Sequence, residues 1–95
     1  MLRVLVLSAE DNVGVVVKGA APGQPLACAT GGEIVCLDAI PPGHKVALTE
    51  IHRGAKVLKF GVPIGSATDA IRPGQHVHTH NLASDYTPTV AGTGQ

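Results

Sequence analysis

Three of the five histidines stand at alternate positions near the C-terminal end of the chain, at His76, His78 and His80. Side chains two apart on a β-strand point to the same face, so a strand here would present a row of imidazoles. Imidazole binds transition metals and exchanges protons near neutral pH. Same-face neighbours are about 6.5–7 Å apart and the outer two about 13 Å apart. An adjacent pair could therefore share one ion, and a closed site would need a ligand from elsewhere.

The elements that must position these histidines are predicted to be short strands joined by tight turns. The 95 residues are 44% apolar, but only Phe60 and Tyr86 are aromatic, so the core must consist of Val, Ile, Leu and Ala. Twelve glycines, seven prolines and the lack of a long helical apolar period indicate an all-β domain. The formal net charge of zero argues against a nucleic-acid-binding domain.

A turn pattern, [Pro or Arg]-Gly-x-x-[Val or Leu], recurs four times along the chain. Its glycines are Gly23, Gly43, Gly54 and Gly74, and in the last three copies an isoleucine precedes the glycine by three residues, at Ile40, Ile51 and Ile71. Each copy predicts a buried aliphatic anchor, a turn whose glycine takes positive φ, and the start of a new strand. The glycine spacings of 20, 11 and 20 residues indicate two related halves, in an internal pseudo-repeat.

These signals divide the chain into a domain over residues 1–82 and a flexible C-terminal tail over residues 83–95, which has little to bury. A bend is expected at Gly61–Gly65 because proline cannot donate a hydrogen bond within a central ladder. Strands are predicted over residues 1–7, 13–17, 26–29, 33–37, 44–49, 56–60 and 75–82. The apolar run at residues 2–7 is too short for the core of an export signal, and no segment is long enough to span a membrane, so we expect a cytoplasmic protein.

Four ordered motifs give the sequence a resemblance to a known family. The motifs are Asp-Asn-Val at 11–13, Ile-Pro-Pro-Gly-His-Lys-Val-Ala-Leu at 40–48, Lys-Phe-Gly-Val-Pro-Ile-Gly at 59–65 and His-Val-His-Thr-His-Asn-Leu at 76–82. Together they resemble the SAF-type β-clip domain of altronate and galactarate dehydratases, which also occurs as the separate small subunit of sulfolactate sulfo-lyase. The resemblance covers about residues 4–82 and implies a small β-clip fold of kinked, interlocked hairpins.

The resemblance implies the small subunit of a metal-dependent hydro-lyase. In such enzymes a base takes the C2 proton of a sugar acid or related 2-hydroxy acid, the C3 substituent leaves, and the enol becomes a 2-oxo acid. The implied cofactor is Fe²⁺, or Mn²⁺ or another divalent metal, shared with a large catalytic subunit, without which this chain is expected to be inactive. A cation and a placed acid–base pair are what the elimination requires.

The histidines of the last motif are the main site candidates. His78 and His80 are the expected catalytic acid–base groups, and together with His76 they are the expected metal ligands. The alternative is that His78 and His80 are a structural pair that forms hydrogen bonds to a neighbouring hairpin. Asp11 and Asn12 could orient one of these histidines by hydrogen bonding to it without binding the metal, or they could form a side-chain-capped turn between two strands.

Substrate binding is expected at Lys45, Lys59 and Asn81. Lys45 suits a substrate carboxylate better than His44, and strand alternation allows only one of these two neighbours to face a given site. Asn81 interrupts the histidine alternation and could instead close a turn.

Three other functions remain open at the level of the sequence. The chain could be the small subunit of a sulfo-lyase, with sulfite rather than water as the leaving group, or a non-catalytic module that binds carbohydrate or another ligand. It could also be a stand-alone histidine metal binder, which predicts stoichiometric metal without any partner. Self-association of the chain is a further open possibility, and neither a nucleic acid nor a membrane is an expected partner.

Overall fold

The computed structural model describes residues 2–28 and 31–85, and over these ranges the chain is built from strands and turns. The strands are β1 (Leu2–Val4), β2 (Val13–Val16), β3 (Pro25–Cys28), β4 (Glu33–Val35), β5 (His44–Ala47), β6 (Lys56–Lys59), β7 (Val62–Ala67), β8 (His76–Val77) and β9 (Leu82–Ala83). The expectation of an all-β fold is confirmed. Within the same ranges, no helix is both long and apolar enough to cross a membrane.

The strands form three small sheets, ordered β1-β3-β4, β2-β5-β8 and β6-β7-β9. β1 pairs with β3 in parallel, and the other named pairs are antiparallel. The β2-β5-β8 sheet lies between two hydrophobic clusters because successive residues on its strands face opposite sides. Val46 belongs to one cluster, whereas the adjacent Ala47 and its neighbour Val77 belong to the other.

The internal pseudo-repeat is confirmed, with a shift of 31 residues. This shift carries β2 onto β5 and β5 onto β8, so the two copies share the central strand. It also relates the two cores. Val16, Leu26, Cys36, Ile40 and Val46 of one core correspond to Ala47, Val57, Ala67, Ile71 and Val77 of the other, and all ten are buried.

The four repeated turns have the geometry that their sequences predict. Their glycines all have φ between 81° and 90°, and the residue after each glycine donates a hydrogen bond to the carbonyl three residues earlier, as in a type II turn. The anchoring isoleucines are at most 2% exposed, and Ile51 pairs with Ile71 across an isolated bridge. Local turn chemistry therefore fixes where the strands begin.

The bend expected at Gly61–Gly65 is wrong, because β7 runs through it. A two-residue turn, Phe60-Gly61, joins β6 to β7, and both of its residues have positive φ, as a type I′ hairpin requires. Pro63 is tolerated because it lies beside the register shift between Val57 and Leu58, where β9 does not pair with β7.

The strand expected over residues 75–82 is also wrong. β8 ends at Val77, a turn follows, and β9 begins at Leu82. Beyond the expected domain boundary, Ala83 pairs with Ser66, and the Asp85 carboxylate accepts hydrogen bonds from Ser66 and Lys56. The remainder of the expected tail, residues 86–95, lies outside the described residues.

Candidate metal and proton-transfer site

The pairing of β5 with β8 brings His44 to the histidines of the last motif. The two strands are antiparallel, with Val46 opposite His76. Continuing this register by two residues places His44 opposite His78, and the centroids of their rings are 4.3 Å apart. His44 itself begins β5 directly after the turn glycine Gly43. His44 lies outside the last motif, and it reaches the histidines of that motif because it begins β5, the strand that pairs with β8.

Asn81 closes the turn that follows β8. Its side-chain Nδ2 donates to the His76 carbonyl at 2.8 Å, its Oδ1 accepts from the His78 backbone N–H at 3.0 Å, and its own N–H donates to the His78 carbonyl. Asn81 is 4% exposed. Its amide group is therefore engaged with backbone, and the structure supports the turn-closing interpretation over direct contact with substrate.

The turn draws the imidazoles together. The ring centroids of His76 and His80 are 5.1 Å apart, and those of His76 and His78 are 5.7 Å apart, with the rings nearly parallel. The expected separation of about 13 Å between the outer residues of a regular strand is therefore wrong. Four imidazoles, of His44, His76, His78 and His80, form what we call the histidine cluster.

His44, His76 and His78 have the closest arrangement of ligand atoms in the described part of the chain. One ring nitrogen from each lies within 4.8 Å of the other two, and His44 Nδ1 is 2.9 Å from His76 Nε2. His80 was an expected ligand but is outside this set. Sequence reasoning placed His44 only as a rival of Lys45 for an anion, because the pairing of β5 with β8 joins residues 32 apart in the chain.

Desolvation and mutual repulsion lower the pKa of two imidazoles of the cluster, those of His76 and His78. Burial lowers the pKa of His76, the neighbouring histidines lower it further, and Asp38 opposes them. The pKa of His78 is lowered first by desolvation, then by His44, Lys45 and His80. Neutral imidazoles have a lone pair that is free for a metal ion or a proton.

The backbone around the cluster is held by hydrogen bonds. Besides the contacts of Asn81, the Asp38 carboxylate accepts the His76 backbone N–H at 2.9 Å. Asp38 was not predicted from the sequence, because it reaches His76 across 38 positions of the chain. His44, His76 and His78 are each half-buried, so their rings remain reachable from solvent.

Asp11 and Asn12 lie against the β6–β7 hairpin. Asp11 accepts hydrogen bonds from the Gly61 and Ser8 backbone amides, at 2.7 and 3.2 Å. Asn12 bridges β6, accepting from the Leu58 N–H at 2.7 Å and donating to the Lys56 carbonyl at 2.9 Å. Among the described residues these side chains bond to backbone and not to a histidine, which favours the capped-turn interpretation.

Lys45 is carried on the face of β5 opposite to His44, as strand alternation predicted. Burial lowers the pKa of Lys45, and the positive charge of Lys59 lowers it further. Lys59 also lies over the Phe60 ring, 5.3 Å from its centroid. The two lysines form a half-buried cationic pair, which is suited to a carboxylate or another anion.

The donor set fits a transition metal. Imidazole nitrogens suit Fe²⁺, Co²⁺ and Zn²⁺, whereas Mg²⁺ and Ca²⁺ prefer oxygen ligands. Three protein ligands leave coordination positions open, as in catalytic rather than structural sites. His44, His76 and His78 are the residues that would hold such an ion, and His80 stands beside them.

Comparison with known proteins places the chain in one group. Residues 2–85 match the model of the altronate/galactarate dehydratase SAF domain. The chain is 40% identical over 87 residues to (2R)-sulfolactate sulfo-lyase subunit alpha of Chromohalobacter salexigens, a match that covers 82% of this chain and 89% of that protein. It is 38% identical over 84 residues to the altronate dehydratase of Escherichia coli, covering 88% of this chain but only 17% of the enzyme.

A second altronate dehydratase, from Bacillus subtilis, is 37% identical over 76 residues, covering 80% of this chain and 15% of the enzyme. The chain thus spans nearly the whole of one relative that is a separate subunit, and less than a fifth of the dehydratases that it matches.

Proposed function

The chain belongs to the altronate/galactarate dehydratase SAF domain family, and from that premise we propose that it is the small subunit of a metal-dependent hydro-lyase. The proposed reaction is α,β-elimination on a sugar acid or related 2-hydroxy acid to give a 2-oxo acid. The partner is a large subunit that supplies what the matched dehydratases contain outside their similar region. We expect the pair to work in the cytoplasm.

The observation that carries the proposal is the convergence of the histidine cluster. Residues from two strands and a turn bring four imidazoles together, and four pairs of these rings have centroid distances of 4.3–5.7 Å. Each member of a purely structural histidine pair would need only one hydrogen-bond partner, whereas three of these imidazoles are half-buried and the fourth, that of His80, is exposed. The cluster can therefore face a substrate that a larger partner holds.

Within that site the chain's own residues move and hold protons. His80, which is exposed and outside the ligand set, is suited to accept the C2 proton and to pass a proton to the leaving group. His78 was also expected to be an acid–base group, but here its ring nitrogen is assigned to the ion. A divalent ion, when bound, would supply positive charge to stabilise the developing enediolate. The Lys45 and Lys59 pair, on the face of β5 opposite to His44, is the candidate partner for an anionic substrate group that does not bind the ion.

A second candidate function is the small subunit of a sulfo-lyase. The 40% identity to a sulfolactate sulfo-lyase subunit over 89% of its length favours it. The elimination is the same in form, with sulfite leaving from C3 in place of water. The fold and the histidine cluster serve either reaction, so the substrate must decide between them.

The test is anaerobic co-expression of this chain with the large lyase subunit from the same genome. The purified pair is assayed with Fe²⁺ on altronate, galactarate and sulfolactate, and 2-oxo acid and sulfite are measured separately. We expect activity only when both chains are present. 2-Oxo acid without sulfite identifies the hydro-lyase, and stoichiometric sulfite identifies the sulfo-lyase.

His78→Ala and His80→Ala are tested in the same complex, with His52→Ala as the matched control because His52 is exposed at a turn away from the cluster. Losing the acid–base group His80 should reduce the rate about 10²–10⁴-fold, and losing the ligand His78 should reduce it at least about 100-fold. Full activity from the large subunit alone, or unaltered rates in both cluster variants, would contradict the proposal and leave a ligand-binding module.

A further inference from the structure

The ring nitrogens of His44 and His76 are already as far apart as two ligands of one metal ion. Metal–nitrogen bonds of about 2.0–2.1 Å place neighbouring ligand atoms about 2.9 Å apart at a right angle and about 3.3 Å apart in a tetrahedron. His44 Nδ1 and His76 Nε2 are 2.9 Å apart. In the absence of an ion this contact is a hydrogen bond, for which one of the two nitrogens must carry a proton.

The third ligand is close enough to complete the set. A nitrogen of His78 lies within 4.8 Å of the other two ligand atoms, and its ring centroid is 4.3 Å from that of His44. The three residues come from β5, from β8 and from the position directly after β8, so backbone pairing fixes their spacing.

The supporting contacts resemble those of a prepared site. Asp38 accepts the His76 N–H, and Asn81 holds the His76 carbonyl and the His78 N–H. Such contacts fix the backbone before an ion arrives and so reduce the entropy lost on binding.

We infer that this chain by itself binds one divalent first-row transition ion through His44, His76 and His78, and that His80 is not a ligand. The inference deepens the proposed function, on which its catalytic meaning rests. It replaces a site shared between subunits by a three-histidine site within the small subunit.

The test uses the full 95-residue chain without any partner. The protein is stripped with a chelator and titrated with Co²⁺ at pH 7.5, followed by visible absorption and by calorimetry. We expect one Co²⁺ per chain, with d–d bands of a nitrogen-ligated ion, and Zn²⁺ should displace it. His44→Ala, His76→Ala and His78→Ala should each weaken binding more than about 100-fold, because each removes a direct ligand.

Two controls distinguish the ligand set. His52→Ala and His80→Ala should each retain one ion with affinity within about threefold of the parent chain. Loss of binding in His80→Ala together with full binding in His44→Ala would overturn the inference. So would weak binding of several ions that no cluster variant alters, or no Co²⁺ bound at all.

Circular dichroism and thermal unfolding report whether each variant is folded. If an alanine variant unfolds, the ring ¹⁵N spectra of the parent chain provide the second measurement. Addition of Zn²⁺ should shift the ligand nitrogens of three histidines, and a shift of any other set contradicts the assignment. Binding by the isolated chain, with no lyase activity in the co-expressed pair, would refute the proposed function and leave this inference standing. Lyase activity without binding by this chain would do the reverse.

Discussion

The histidine cluster and the Asp11–Asn12 pair are both built from polar side chains at strand ends, yet they differ in what those side chains contact. Asp11 and Asn12 bond to backbone amides and carbonyls of the β6–β7 hairpin. In the cluster the rings face one another, and the closest polar contact is between His44 and His76. One region fastens the fold, and the other has ring nitrogens available to a ligand.

The difference teaches how to interpret polar motifs in this fold. A side chain that satisfies backbone groups contributes to stability, because a buried amide without a partner is costly. A group of half-buried imidazoles that contact one another contributes little to stability and is suited to chemistry. Substitutions should therefore separate the two regions, one affecting activity and the other the free energy of unfolding.

The largest effect is expected for His44→Ala in the two-subunit enzyme. Loss of this imidazole removes a proposed ligand, so the rate should fall at least about 100-fold. The free energy of unfolding should fall by only about 0.5–1.5 kcal/mol, the net contribution of one hydrogen bond. Steady-state assays measure the rate and urea unfolding measures the free energy of unfolding, both on the same preparation. A normal rate would contradict the view that the histidine cluster serves activity while the Asp11–Asn12 pair serves stability.

The turns before β5 and β8 give a matched pair that tests the scaffold of the cluster. A methyl group at Gly74 would meet the Val35 carbonyl, whereas one at Gly43 would meet nothing within 4 Å. Both glycines have positive φ, so alanine at either position costs about 1–2 kcal/mol of backbone strain.

Gly74→Ala should lose about a further 1–3 kcal/mol of unfolding free energy from overpacking. It should also weaken Co²⁺ binding, because β8 must move. Gly43→Ala should lose only the unfolding free energy that backbone strain costs. Urea unfolding midpoints measure the difference, and equal losses in the two variants would show that Gly74 is not a packing constraint.

Asn12→Ala is the counterpart of the histidine substitution. It removes two side-chain hydrogen bonds to β6, and the unfolding free energy should fall by about 1–3 kcal/mol. Co²⁺ binding, and the rate per folded enzyme, should stay within about twofold. A large fall in rate with normal stability would mean that Asn12 supports the site, as the sequence had left open.

The turns and cores were predictable from the sequence because their signals are local. Pro-Gly or Arg-Gly pairs mark each of these strand starts, an isoleucine stands three residues before the glycine in three of the four copies, and all four turns have the expected geometry. The bend at Gly61–Gly65 was mispredicted because a proline is compatible with a strand where the ladder is incomplete. That depends on the partner strand, which the local sequence does not describe.

The composition of the site was only half predictable. His76, His78 and His80 stand at alternate positions of one motif, but His44 joins them through a strand pairing whose register cannot be predicted from the sequence. Asn81 carried a usable signal, because asparagine readily closes turns. If Asn81 had been taken as the residue that closes a turn, the predicted strand would have ended before it. His80 would then have been expected to lie near His76, where the structure has it.

The smallest effect distinguishes the two regions by pH. Burial raises the pKa of Asp11, but hydrogen bonds from the amides of Gly61, Phe60, Ser8 and Leu7 outweigh it and leave the pKa below its usual value of 3.8. A carboxyl whose pKa is lower in the folded state stabilises the fold fully above its unfolded pKa. That contribution is lost as the pH falls from there through the folded value.

Asp11→Asn should therefore lower stability at pH 7 and flatten the acid limb of the stability curve below about pH 4. Asp85, whose pKa is lowered by its hydrogen bonds to Lys56 and Ser66, titrates in the same range, so Asp85→Asn is the matched comparison. Asp85 is exposed, and its ion pair with Lys56 should contribute less. Urea unfolding from pH 2.5 to 7 measures the acid limb of the stability curve for both variants. An acid limb unchanged in Asp11→Asn would show that the carboxylate does not fasten the hairpin, and the contrast with the histidine cluster would then rest on Asn12 alone.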